Sequence, residues 1–167
     1  MENKIVFVTV GTTTFDDLII TVTSDEILHQ LNARGYKSLI MQIGESQFVP
    51  NCSPRCGFSY IEAFSLKPSL CETMKSADLI ISHAGAGSCL EALDLKKPLI
   101  VVTNNLLMNN HQVELAKQLC NDGYLYYSTC KNLLELIIKM KLSELKTFPG
   151  DKSHAIANVV NKLMGFS

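Results

Sequence analysis

Four runs of largely apolar residues read as strands: Lys4-Ile5-Val6-Phe7-Val8-Thr9-Val10, Asp78 to Ser82 and Pro98 to Thr103, each leaving by a turn toward a stretch with helical spacing, and Ser38 to Ile43, which leaves into a loop. Near-continuous apolar strands belong to a sheet covered on both faces, because a half-covered sheet alternates apolar and polar residues. Phe58 to Phe64 and Tyr124 to Tyr127 add two further strands. Helices are expected over residues 15–32, 66–76, 88–95, 109–121, 131–140 and 154–166, and residues 44–56 form a long surface loop carrying Pro50 and Pro54. Strands alternating with helices at this spacing predict an α/β fold, a doubly wound, mostly parallel, Rossmann-like sheet. No repeat, low-complexity tract or linker divides the 167 residues, so one domain over 1–167 is expected.

Charge and cysteine usage narrow the function classes. Fifteen Lys and Arg against sixteen Asp and Glu, scattered along the chain, give no basic stripe. Nucleic-acid binders need such a stripe to displace phosphate counterions, so no nucleic-acid partner is expected. No apolar run reaches the roughly 20 residues that span a bilayer. The six cysteines follow an opening, Met1-Glu2-Asn3-Lys4, without a signal-peptide pattern, and read as reduced cytosolic thiols. Cys52-x-x-x-Cys56 lacks a second Cys or His pair at ligand spacing, and neither a metal nor another cofactor is expected.

The segment Ser82-His83-Ala84-Gly85-Ala86-Gly87-Ser88-Cys89-Leu90-Glu91 carries most of the chemistry. It reads strand, Gly-rich turn, helix, and so exposes backbone N–H groups at the positive end of a helix dipole, where phosphate binds. Gly85 and Gly87 also suit a tight turn with close packing. Ser88-x-x-Glu91 also fits a capping box, in which Glu91 folds back on the Ser88 amide and touches no ligand. His83 is either a satisfied strand-end histidine or a hydrogen-bond donor to whatever the amides hold. Gly11-Thr12-Thr13-Thr14 leaves the first strand with one glycine, so the dinucleotide fingerprint is absent, as is a Gly-Lys-Ser/Thr phosphate loop. Asn109-Asn110-His111-Gln112 opens a helix. One Asn suits its cap, while His111 and Gln112 offer neutral hydrogen-bonding groups that suit a sugar. All three segments follow strand ends, and ligands of such sheets sit beyond the carboxyl ends of the strands.

Together, His83 through Glu91, then Pro98, then His111-Gln112, resemble the donor-binding C-terminal half of GT-B glycosyltransferases, and more closely glycosyltransferase family 28. Residues 7–18, 77–88 and 107–119 carry the closer likeness. The resemblance implies that His83 and the amides of Gly87 and Ser88 contact a diphosphate, with Gly85 and Ala86 in the same turn. It implies that Glu91 takes the ribose hydroxyls and that Asn110, His111 and Gln112 lie by the transferred sugar; many relatives have Asp where this chain has His111. Gly11, Thr12 and Thr13 complete the expected substrate-binding set.

A GT-B enzyme has two halves with the site between them, and this chain has the length of one. The resemblance therefore implies a heterodimer with a membrane-anchored, acceptor-binding subunit, formed by a cytoplasmic chain recruited peripherally to the cytosolic face of the endoplasmic reticulum. The implied reaction is inverting transfer from UDP-N-acetylglucosamine to dolichyl-diphospho-N-acetylglucosamine. His83 stabilises the leaving diphosphate, the general base lies on the partner, and His111 is its backup in this chain. Ile156, Val159, Val160, Leu163 and Met164 fall on one helical face, which suits packing on this domain's own core; the resemblance, in which the C-terminal helix of two-domain relatives crosses to the other half, implies instead that residues 153–167 are a candidate docking helix. Two other readings stay open: a non-catalytic nucleotide-sugar binding module, and a self-contained epimerase or hydrolase.

Overall fold

The computed structural model describes residues 3–11, 14–84, 86–103 and 110–148, and for 86 and 110–112 the backbone only. The expected helix over 153–167 lies outside the described residues.

Six strands form one sheet: β1 (Lys4–Thr9), β2 (Tyr36–Gln42), β3 (Tyr60–Phe64), β4 (Leu79–His83), β5 (Leu99–Thr103) and β6 (Tyr126–Thr129). Their order is β3-β2-β1-β4-β5-β6, and every pairing is parallel. The helices are α1 (Asp16–Val22), α2 (Asp25–Ala33), α3 (Cys71–Ser76), α4 (Ala86–Asp94), α5 (Asn110–Asn121) and α6 (Leu133–Lys139), with a short 3-10 turn at Leu142–Glu144.

Successive residues of a strand point to opposite faces, and here both faces are covered. Val6 and Val8 of β1 pack with Leu18, Leu28 and Ile137 from α1, α2 and α6. Phe7, between them, faces the other way and packs with Met74, Ala92 and Leu119 from α3, α4 and α5. This two-sided cover is why the strand runs contain so few polar residues. The chain winds outward from β1 to β3 on one side, then returns to β4 on the other side of β1. Thr9 is level with Gln42 of β2 and with Ser82 of β4. The sheet therefore reverses between β1 and β4, and a crevice opens beyond their carboxyl ends.

Several boundaries differ from the sequence expectation, each for a local reason. The single helix expected over 15–32 is two helices. Thr23 Oγ1 donates to the Ile19 carbonyl at 2.7 Å and Ser24 Oγ to the Thr21 carbonyl at 2.7 Å, while Ser24 Oγ accepts from the Ile27 amide at 3.4 Å as the cap of α2. Hydroxyls that bond the backbone in this way compete with helix continuation. The helix expected from residue 66 begins at Cys71, because Pro68 holds Lys67 out of the helical region. β6 starts two residues late because Gly123, at φ 87°, and the Tyr124 amide, bonded to the Leu119 carbonyl at 3.1 Å, close off α5. Among the described residues no helix is long and apolar enough to cross a membrane. All six cysteines are free.

Candidate functional site

The first wall of the crevice is the turn after β1. Thr9 is fully buried and donates its hydroxyl proton to Gln42 Oε1, itself buried at the end of β2. Thr9 Oγ1 in turn accepts the Gly11 amide at 3.1 Å. Gly11 has φ 66°, and a Cβ there would stand 2.6 Å from His83 Cε1 and 2.9 Å from His83 Nε2. Glycine is thus required twice at this position, for a left-handed backbone and for contact with the imidazole. Thr12 and Thr13 lie outside the described residues.

The second wall is the turn from β4 into α4. His83 is the last residue of β4, and Ser82, buried before it, donates to the His83 carbonyl at 2.8 Å. Buried Cys89 also directs its thiol to that carbonyl, at 3.9 Å, and burial pushes this thiol up to about 12, so it is a packing group and not a nucleophile. α4 begins at Ala86, two residues before the expected start. Gly85 lies outside the described residues, as do the side chains of Ala86, Asn110, His111 and Gln112.

The earlier start of α4 changes the reading of two residues. Ser88 is the third helical residue and not the cap, so the capping box does not form. Glu91 sits in the second turn, exposed, and among the described residues its carboxylate has no hydrogen-bond or ion-pair partner. The amides of Ala86, Gly87 and Ser88 precede the first intrahelical bond and among the described residues have no acceptor, beside the positive helix end. Gly87 needs no left-handed backbone, and among the described residues a Cβ built on it meets nothing within 4 Å. Neither a left-handed turn nor contact with a described residue accounts for that glycine.

His83 bridges the two walls. Among the described residues its buried Nδ1 has no hydrogen-bond partner, and its Nε2 lies against the Gly11 turn. Burial holds the imidazole below its ordinary value of 6.5, opposed by a weaker pull from the Thr9 carbonyl. At neutral pH the ring is therefore uncharged, a hydrogen-bonding group and not a cation. The unfolded chain binds a proton at this position more readily than the folded one. Stability present above pH 6.5 is accordingly expected to fall as pH drops through the lowered folded value. Thermal melts across that window should show the decline, and His83→Gln should flatten it; an equal slope in both proteins would contradict this.

β5 ends at buried Thr103 on the same edge, and α5 places the backbone of Asn110, His111 and Gln112 in its first turn. Residues 104–109 lie outside the described residues. An open groove of about 380 Å³, lined by Tyr127, Ser128, Thr129 and Asn132, continues along this edge at β6. Among the described residues no three His, Cys, Asp or Glu side chains gather as a metal-binding group.

Two residues of this edge escaped the sequence reading. Thr9 and Gln42 were absorbed into strands, although a buried hydroxyl or amide at the end of an apolar run is itself a signal. Of the buried polar residues Thr9, Thr23, Gln42, Ser82, Thr103 and Ser128, all but Thr23 lie at or next to the carboxyl end of a strand.

Comparison with known proteins agrees with this architecture. Residues 5–163 match the model of the glycosyltransferase family 28 C-terminal domain. A Homo sapiens protein named UDP-N-acetylglucosamine transferase subunit ALG13 is 53% identical over 130 residues, which cover 78% of this chain and 11% of that protein. The Saccharomyces cerevisiae protein of the same name is 33% identical over 183 residues, covering 89% of this chain and 90% of that protein. The chain thus spans about a tenth of the human relative and most of the yeast one. The solution structure of ALG13 superposes with a TM-score of 0.72 at 29% identity, covering 95% of this chain and 96% of that one. Acinetobacter baumannii MurG superposes with a TM-score of 0.64 at 16% identity, covering 98% of this chain but 50% of MurG, a likeness of fold alone. The chain belongs to glycosyltransferase family 28, and its fold is that of the C-terminal half of a GT-B glycosyltransferase.

Proposed function

We propose that this chain is the donor-binding subunit of an inverting N-acetylglucosaminyltransferase, moving N-acetylglucosamine from UDP-N-acetylglucosamine to dolichyl-diphospho-N-acetylglucosamine. The observation that carries the reading is the amino end of α4: amides without an intrahelical partner, a Gly87 whose added Cβ would meet no described residue, and His83 just before them at the point where the sheet reverses. The name shared by the curated relatives, UDP-N-acetylglucosamine transferase subunit, supports the choice of donor.

The work of this chain in the reaction is to hold UDP as it leaves. Negative charge grows on the diphosphate as the glycosidic bond breaks. The α4 amides and dipole, the Ser88 hydroxyl and His83 Nε2 stabilise that charge, and no metal or cofactor enters this account. Preorganised donors of this kind do not reorient as the charge develops. Gly11 stands on the opposite wall, and Gly11, Thr12 and Thr13 take part in binding the donor. Glu91 accepts from the ribose hydroxyls, and Asn110, His111 and Gln112 bind the transferred sugar. The general base that takes the acceptor hydroxyl proton belongs to a membrane-anchored partner, with His111 as the residue of this chain to test for that role. The subunit then works at the cytosolic face of the endoplasmic reticulum, held there by its partner.

Glu91→Ala separates a ligand role from a structural one. Charge-assisted hydrogen bonds contribute about 1.5–3 kcal/mol each, so use of UDP-N-acetylglucosamine is expected to weaken about tenfold to a hundredfold. Thermal stability should stay within about 0.5 kcal/mol, as for an exposed residue without partners. A drop in melting temperature with unchanged donor kinetics would remove Glu91 from the site. Transfer measured with and without the membrane subunit tests the whole reading. Activity is expected only from the complex; activity of this chain alone would overturn the division of labour.

A further inference from the structure

We infer that Gln42 and Thr9 are positioning residues for the donor site, acting through Gly11 on the seat of His83. The inference deepens the proposed function and rests on that reading for its catalytic consequence. Four groups are joined in sequence. Gln42 Oε1, at the end of β2, accepts the Thr9 hydroxyl proton. The Thr9 oxygen then accepts the Gly11 amide at 3.1 Å. The Gly11 backbone, left-handed at φ 66°, comes so close to the His83 ring that an added Cβ would lie 2.6 Å from Cε1.

The direction of these bonds leaves little freedom. A threonine hydroxyl has one proton to give and lone pairs with which to accept. Once Gln42 Oε1 takes the proton, the lone pairs are left for Gly11. Thr9 is 0% exposed and Gln42 2%, so water does not readily replace either partner. The parallel register fixes both residues further: Thr9 is level with Gln42 on one side and with Ser82, the neighbour of His83, on the other. Three strand ends are thus tied together at the height of the imidazole. Neither Thr9 nor Gln42 needs to touch donor to set where Nε2 points.

The residue types fit this role better than a packing role. Valine at 9 and leucine or methionine at 42 would suit the surrounding apolar strands, and each polar group buried there without a partner would be costly. The Thr9 hydroxyl and Gln42 Oε1 are instead paired with each other, and Thr9 with the turn.

The test uses the free, full-length chain first. Thr9→Val keeps the shape and removes the hydroxyl. The Cε1–H resonance of His83, followed by NMR over pH, is expected to move and to titrate nearer the ordinary histidine value, whereas Thr9→Ser should restore the wild-type resonance. Gln42→Met is the second variant and should move the same signal in the same direction. If both variants lower the melting temperature but leave the His83 signal unchanged, the relay is packing only and the inference fails. The second arm measures transfer from UDP-N-acetylglucosamine in the complex. Thr9→Val is expected to lose roughly tenfold or more in kcat/KM, as misplacement of a contact group does, with Thr9→Ser near wild type. A His83 signal that moves while transfer is unchanged would uphold the relay and count against His83 as part of the donor site.

Discussion

Gly87→Ala is expected to weaken use of UDP-N-acetylglucosamine about tenfold to a hundredfold while leaving the domain at least as stable as before. The two halves of this expectation come from the same observation. Among the described residues a Cβ at 87 meets nothing within 4 Å, so no strain with them is expected in the free chain. Alanine is also the better helix former, by up to about 1 kcal/mol in a helix interior and less in a first turn. In the complex with donor the same methyl would stand where a phosphate must approach the helix amides. Overpacking of that kind costs about 1–3 kcal/mol, which is the tenfold to hundredfold loss. Melting temperature and donor KM measured on one preparation read both halves. Lowered stability with normal kinetics would return Gly87 to a structural role.

Removing residues 153–167 is expected to abolish assembly with the proposed membrane-anchored subunit, and transfer with it, while the remaining domain stays folded. Ile156, Val159, Val160, Leu163 and Met164 share a face at helical spacing. Among the described residues the two cores already join all six strands to all six helices. The truncated chain should therefore keep its cooperative melt and lose co-purification with its partner. A truncated chain that still co-purifies and still transfers sugar would remove this segment from the interface.

The fold was legible because a doubly wound sheet imposes an unusual demand on its central strands. Val6, Phe7 and Val8 are all buried, on alternating faces, so the run could contain no polar residue and stood out. Helix boundaries were less legible where side-chain hydroxyls decide them. Thr23 and Ser24 carry a stop and a cap within two residues, hidden inside an otherwise continuous periodic stretch. At the candidate site, Gly11, His83, Gly87, Ser88 and Glu91 were visible as residue types after strand ends. What each one does depended on geometry that spacing alone does not contain. Ser88 with Glu91 satisfies the spacing of a capping box, and only the start of α4 at Ala86 shows that no such box forms. Thr9 and Gln42 were missed because each looks like the polar tail of a strand, and their pairing spans 33 residues of sequence.

The most direct test of the donor site is the set of backbone amide resonances of the isotope-labelled chain in the reconstituted complex, recorded as UDP-N-acetylglucosamine is added. The amides of Ala86, Gly87 and Ser88 should shift together with the His83 ring, while Lys96 and Lys97, before β5 at the far end of the sheet, should not move. Saturation with donor that leaves the α4 amides in place, or that shifts residues at the opposite end instead, would contradict the account.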